Sequence, residues 1–306
     1  MPLAIPSVTT VQGTSTIPIP GRFSPFLNRI RSFFHRVILR HFSMLYTRIC
    51  HRLHIPILRP AFGGVFVLPF NTLLKIGPRV REEEAHAMTI AHSMGLPVPS
   101  VISYGDDGPG TDGSIWMTIV PGQPANQWWW FVSDEERSVF IHELDEYIVR
   151  MRQYSSPFSS AVSSVCGGPL KSHRACDGVI PRCNNETDFL AYLMSARWVG
   201  GFSKEQWKED EEAILQLLTV KHPIVFTHGD LHLHNIIVKD GHISGIIDWE
   251  CAGWMPDYWE FGVSLRVHPP TSEWYTHLRA ITSFKYEMEM AADRVLARTT
   301  DQSYTY

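Results

Sequence analysis

The sequence predicts an α+β chain built as two lobes, a small antiparallel-sheet lobe followed by a mostly helical one. Two observations carry this expectation. From Ile55 to Val120, short apolar runs alternate with turns rich in Gly, Pro and Asn, the pattern of a sheet interrupted by one helix. From Pro121-Gly122 onward, longer stretches open with helix-start pairs, Ser133 with Glu136 and Ser203 with Gln206, each a capping box. A chain of 306 residues buries enough core for one or two such units.

In chain order, residues 1–20 are uncharged and rich in Pro, Thr and Ser, which reads as a disordered tail. In residues 21–54, a basic helical extension, Arg29, Arg31, Arg36, Arg40, Arg48 and Arg52 interleave with Phe, Ile, Leu and Tyr at near-helical spacing. That pattern fits an amphipathic helix packed on the small lobe. A membrane-surface helix through residues 23–53 and an Arg-rich organelle presequence are the other readings.

Residues 55–120 make the first lobe. Ile57-Leu58, Val65 to Leu68 and Thr72 to Ile76 are expected as strands, with Pro60 to Gly64 as a loop and Phe70-Asn71 as a turn. Arg81-Glu82-Glu83-Glu84 opens a helix to about Met94, its acids placed where the helix dipole favours them. Gly95 to Pro99 stops it, and Val101 to Tyr104 and Ser114 to Val120 complete the sheet. Residues 121–306 make the second lobe. A capped helix runs to about Gln153, and Ser155 to Asn185 is an irregular excursion. Helices follow over Glu186 to Trp198 and Ser203 to Leu218, then strands with a hairpin at Asp240-Gly241. One last helix spans Glu273 to Arg298.

The net charge of −4 hides an asymmetry: residues 1–81 carry eleven basic side chains and no acid, the remainder sixteen basic and thirty-one acidic. The acidic part argues against nucleic acid as the main partner, since duplex binding needs a clustered basic face. Five cysteines without paired C-x-x-C spacing read as free thiols in a reducing, cytoplasmic setting rather than a zinc site. No run of eighteen uncharged apolar residues occurs, so no transmembrane segment is expected.

The chemistry is concentrated in Thr227-His228-Gly229-Asp230-Leu231-His232-Leu233-His234-Asn235 and Ile246-Ile247-Asp248-Trp249-Glu250. Asp230, Asn235 and Asp248 each sit at the edge of a short apolar run. Phosphoryl transfer from a nucleotide needs this set: one carboxylate to orient the acceptor hydroxyl, and an amide and a second carboxylate to hold Mg²⁺ against the phosphates.

These residues resemble the H-G-D-x-x-x-x-N…D signature of the aminoglycoside phosphotransferase/choline kinase-like superfamily, whose fold is similar to that of protein kinases. The wording around Asp248 and Pro256-Asp257-Tyr258-Trp259-Glu260 is especially like phosphotransferase-domain proteins found mostly in fungi. The resemblance covers about Ile55 to Arg298, most strongly Pro223 to Phe261. It implies a protein kinase-like two-lobe fold and an ATP- and Mg²⁺-dependent transfer to a hydroxyl of a small molecule, with GTP as an alternative donor. Asp230 is the expected catalytic base, Asn235 supports it and ligates Mg²⁺, and Asp248 is the metal carboxylate. His228 is expected as scaffold, and His232 and His234 as loop or lining residues. Lys75, at a strand end, would hold the α- and β-phosphates, braced by Glu84 within Glu84-Ala85-His86-Ala87-Met88. Gly63 and Gly64 stand where a phosphate-covering loop belongs but fall short of G-x-G-x-x-G. Met117 to Val120 is the expected connecting strand, with the backbones of Met117 and Ile119 against the adenine edge.

Trp128-Trp129-Trp130 fits the packed start of the helical lobe better than a cation-binding surface. Asp257 and Glu260 are read either as acceptor-orienting groups or as caps and ion-pair partners. Two other functions fit parts of the pattern. One is a kinase-fold protein that binds nucleotide or ligand without turnover, favoured by the short glycine loop. The other is a metal-dependent hydrolase built on His228, Asp230, His232, His234 and Asp248, which leaves Lys75 and Asn235 without a role.

Overall fold

The structure, a computed structural model, describes residues 15–58, 63–175, 178–195, 204–266, 268–281 and 284–300. Most of the expected N-terminal tail lies outside them. The basic extension is a helical rod in which α1 (Pro25–Phe33) runs through a π-helical stretch, Phe34–Leu39, into α2 (Arg40–Arg52).

The first lobe is an antiparallel sheet of β1 (Val65–Leu68), β2 (Thr72–Gly77), β3 (Val101–Gly105) and β4 (Gly113–Thr118), ordered β1-β2-β4-β3. Alternation sets the faces: in β2, Thr72 and Leu74 are buried while Leu73 and Lys75 are half-buried, as a two-residue period requires. Between β2 and β3 comes α3 (Glu82–Ser93), with all three acids of its first turn in place. The rod packs on this sheet, α1 against β3 and α2 against β1.

The strand expected at Ile57-Leu58 does not form. The physical reason is competition for an edge: α2 lies beside β1, and Ser43 Oγ donates to the carbonyl of Val67 at 2.5 Å. A helix covering an edge strand removes the need for another strand there. Consequently Gly63 and Gly64 precede the first strand rather than joining two strands, and residues 60–62 of the expected loop lie outside the described residues.

The first long helix of the second lobe is α4 (Asp134–Arg152), whose capping box is present in both directions: Glu136 N donates to Ser133 Oγ at 3.3 Å, Ser133 N to Glu136 Oε2 at 2.9 Å. Next come α5 (Glu186–Ser195) and α6 (Lys204–Leu217), the latter without a described cap because Ser203 lies outside the described residues. Then β5 (Ile224–Thr227), β6 (Ile236–Lys239), β7 (His242–Ile246) and β8 (Gly253–Pro256) pair as two ladders, β5 with β8 and β6 with β7. Asp240 and Gly241 join β6 to β7 with φ of 52° and 82°, the positive pair that a two-residue hairpin needs. Gln123–Pro124 extends the β6 ladder, so the chain leaving β4 is tied directly to the segment that follows Asn235.

The chain ends in α7 (Trp259–Arg266), α8 (Glu273–Ala280) and α9 (Glu287–Thr300). The single last helix expected from the sequence is therefore two. It breaks because Ile281 is extended and buried, while Phe284 and Tyr286 pack on Phe261 of α7 at 4.9 and 5.5 Å between ring centroids. Core burial outweighs the helical period. Trp129 is fully buried against Phe140 and Trp274, whereas Trp130 is exposed, so the tryptophan run is chiefly packing.

Candidate active site

The site is assembled where the first-lobe sheet faces β5 to β8. Lys75, near the end of β2, donates from Nζ to Glu84 Oε1 of α3 at 2.8 Å and to Asp248 Oδ1 at 2.7 Å. Its partners lie nine and 173 residues away in sequence, so one lysine bridges both lobes. The two carboxylates act on it in the same sense. Burial would lower the lysine's pKa, but Glu84 and Asp248 hold it above its ordinary value. For Asp248, burial is outweighed by Lys75 and the carboxyl sits below its usual range. Glu84 goes the other way, because its complete burial exceeds the help Lys75 gives. Its Oε2 is buried without a hydrogen-bond partner. Asp248 is left-handed, φ 63° and ψ 60°, at the start of a 3₁₀ turn, Trp249–Cys251. A non-glycine residue in that region is strained and persists only where the surroundings impose it.

The loop between β5 and β6 is built around a glycine. Gly229 has φ of +78°, and a Cβ there would lie 2.4 Å from the carbonyl oxygen of Cys251, so both conformation and contact demand glycine. His228 is fully buried and structural. Its Nδ1 accepts from Asp230 N at 3.2 Å, which leaves Nε2 to donate to Ile247 O at 2.9 Å. Burial keeps it neutral. Glu260 of α7 accepts from His228 N at 2.7 Å and Gly229 N at 3.2 Å. Its own burial, only partly offset by those two bonds, pushes it up to about 7. It holds the loop from behind, which settles it as a scaffold carboxylate. Asp257 accepts from Tyr286 Oη at 2.9 Å and is likewise engaged in the fold.

Asp230 projects from this loop. Asn235 Nδ2 donates to its backbone oxygen at 2.8 Å and to its Oδ2 at 2.9 Å, while His232 Nε2 lies 3.3 Å from Oδ1. Burial opposes ionisation, but the hydrogen bond and charge of His232 hold the carboxyl down to about 2. The Asp230 side chain is thus an anion at neutral pH. Because the Asn235 amide nitrogen is committed to Asp230, its oxygen is the atom left to ligate a cation. Asn235 oxygen and the ionised Asp248 carboxylate are hard ligands of the kind Mg²⁺ takes.

Beside the site stands Glu250, an acid that the sequence marks for metal support or for pairing with an arginine, and whose partners Lys171 and His173 sequence reasoning missed. Glu250 is buried and salt-bridged to Arg79 and to Lys171 Nζ, the latter at 2.6 Å, with His173 at 3.7 Å. Lys171 lies in the irregular excursion, where no spacing marks it. His173, Glu250 and Cys251 are close enough to hold a metal ion. Two cations already neutralise Glu250, and burial pushes the Cys251 thiol far up, so this trio is a poor metal site. Of the three histidines of the hydrolase reading, His228 is engaged with the loop backbone, His232 faces Asp230, and His234 stacks on His232 with ring centroids 5.5 Å apart.

The backbone N–H of Ile119 donates to Asn71 O at 2.7 Å, and Met117 lies inside the sheet between Leu73 and Val101. Ile119 lies just past the end of β4, and its N–H is already paired with the turn that precedes β2.

The chain matches the phosphotransferase enzyme family over residues 72–289. That span covers most of the chain and the whole site, and the chain belongs to this family. No curated protein sequence matches it. Among solved structures, the fold is similar to a variant of aminoglycoside phosphotransferase APH(4)-Ia in ternary complex with ADP and hygromycin B, with a TM-score of 0.55, 11% identity, and coverage of 82% of this chain and 87% of that one. It is also similar to APH(2")-IIa with streptomycin and ATP (TM-score 0.51, 14% identity, 83% and 85% covered). A third is APH(2")-IIia with GDP and kanamycin (0.51, 12%, 82% and 90%). At such identities the likeness is one of fold, and it establishes the kinase-like two-lobe architecture.

Proposed function

We propose that the protein is an ATP- and Mg²⁺-dependent phosphotransferase that moves the γ-phosphoryl group to a hydroxyl of a small molecule. The observation that carries this reading is the bridge from Lys75 to Glu84 and Asp248, set near enough to Asp230 for its charge to act on Asp248. Family membership and neighbours that hold ADP, ATP or GDP together with an aminoglycoside support it. The chain divides for this purpose into a nucleotide-binding lobe over residues 55–120 and a catalytic, acceptor-binding lobe from 121 onward.

Lys75 orients the α- and β-phosphates, and Glu84 keeps its ammonium aimed into the cleft. Asp230 accepts the hydrogen bond of the acceptor hydroxyl, holds that oxygen in line with the γ-phosphorus and receives its proton as the new bond to phosphorus forms and the bond from phosphorus to the β,γ-bridging oxygen breaks, the nucleoside diphosphate carrying away that electron pair. Asn235 fixes the Asp230 carboxylate through Nδ2 and, with Asp248, holds Mg²⁺, which when bound neutralises charge on the phosphate oxygens. The Gly63-Gly64 turn, Met117 of β4 and Ile119 just beyond that strand border the nucleotide.

Thermal-shift titration with ATP and GTP, with and without Mg²⁺, followed by a turnover assay against hydroxyl compounds, tests the proposal. Mg²⁺-dependent stabilisation with turnover abolished by Asp230→Ala is the expected result. Stabilisation without turnover in the wild type would make the chain a binding protein. Turnover that survives Asp230→Ala would remove Asp230 as base.

A further inference from the structure

The helical rod is docked with its polar side inward. Its buried positions are Asn28, Ser32, His35, Leu39, Ser43 and Cys50, of which Leu39 alone is a large hydrocarbon. Hydrogen bonds hold this side to the sheet. His35 bridges Ser103 Oγ and Ser114 Oγ, each at 2.8 Å, and Asn28 Nδ2 donates to Asp106 Oδ2 at 3.3 Å. The approach is close enough that a Cβ on Gly105 would fall 2.4 Å from Ser32 N. Burial, with the charge of Arg31 added, lowers His35 to about 4, so this seat stays neutral and intact across the physiological range. A segment seated this way is part of the folded protein.

The side left open is apolar. Phe26 is 71% exposed, Phe33 64%, Leu45 54% and Ile30 51%. Twelve of the twenty-four large hydrophobic side chains exposed among the described residues fall between Phe26 and Leu53. A contiguous face of this kind marks an interaction surface. The rod also lies outside the family match, which begins at residue 72, so the phosphotransferase fold does not account for it.

We propose that this face docks on an anionic lipid surface, with the rod lying in the plane of the headgroups. Charge selects the occupant. Residues 1–81 contain eleven basic side chains and no acid, and Arg29, Arg40, Arg48 and Arg52 are exposed along the rod. A second copy seated on this face by two-fold symmetry would bring those arginines against their own counterparts. An anionic bilayer offers an apolar layer for the phenylalanines and negative headgroups for the arginines at once. No helix among the described residues is long and apolar enough to cross a membrane, so the contact is peripheral.

Co-sedimentation of the full chain with phosphatidylcholine vesicles, with and without phosphatidylserine, tests this. Binding to the phosphatidylserine vesicles, weakened by high salt and lowered roughly tenfold or more by Phe26→Glu/Phe33→Glu, is the expected result. Because all these positions are exposed, the melting temperature should be unchanged; should that pair misfold, Arg29→Gln/Arg48→Gln/Arg52→Gln supplies the same loss through charge. Equal binding to neutral vesicles would overturn the assignment. So would failure to bind either kind, whether the chain is then monomeric or a dimer that Phe33→Glu dissociates.

Discussion

At the scale of single residues, Asp230, Asn235 and Asp248 were legible because a short segment carries all three and their types are dictated by metal and proton chemistry. Lys75 and Glu84 were legible as a pair only through the strand end and acid-rich helix start that carry them. The structure places Lys75 Nζ within 2.8 Å of Glu84 and Asp248. Glu250's partners were not legible, since Lys171 and Arg79 sit far away in sequence with no periodic context. Asp230→Asn is expected to lower kcat about 10²- to 10⁴-fold, the usual worth of a positioned base, while Mg²⁺-dependent nucleotide stabilisation persists in thermal-shift measurements. Glu84→Gln removes one charged partner of Lys75 but leaves Asp248. It should reduce kcat/KM for the nucleotide roughly 10-fold, the equivalent of one charged hydrogen bond. A Glu84→Gln enzyme with unaltered kcat/KM would show that Asp248 alone positions the lysine.

At the scale of elements, most helices and strands followed from period and capping, and the misses have a common cause. Ile57-Leu58 lost its place to α2, and the last helix broke so that Ile281, Phe284 and Tyr286 could reach the core. Neither event is encoded locally, because each depends on what lies across the fold. The β5–β6 loop shows the same dependence. Its backbone donors at His228 and Gly229 are satisfied by Glu260 of α7, about thirty residues on. Glu260→Ala would leave two buried N–H groups unpaired, at about 1–3 kcal/mol each. The expected outcome is a lowered melting temperature and a kcat loss, with Glu260→Gln recovering part of both through its remaining oxygen. A variant with wild-type kcat would mean that Gly229 alone sets the loop.

At the scale of the whole molecule, His222 joins distant parts of the second lobe, with Nδ1 2.8 Å from Glu186 of α5 and Nε2 3.1 Å from Glu289 of α9. Burial opposes its charge, but the two carboxylates raise it from 6.5 to about 9. Since the folded value exceeds the unfolded one, this stabilisation is complete below about pH 6.5 and is lost as pH rises through about 9. It is worth on the order of 3 kcal/mol at most. Melting temperatures measured from pH 6 to 10 should fall by several degrees in the wild type and more shallowly in His222→Gln; parallel curves would refute the linkage. The sequence by itself determined the lobe order, the strand–loop–strand segment and the identity of the groups suited to phosphoryl transfer, because these depend on residue type and near-neighbour spacing. Only the tertiary structure decided which carboxylates meet Lys75, what braces the Asp230 loop, and that the basic rod turns its polar side inward. Those outcomes are contacts between residues distant in the chain, fixed by which surfaces can be buried together, and no local pattern records them.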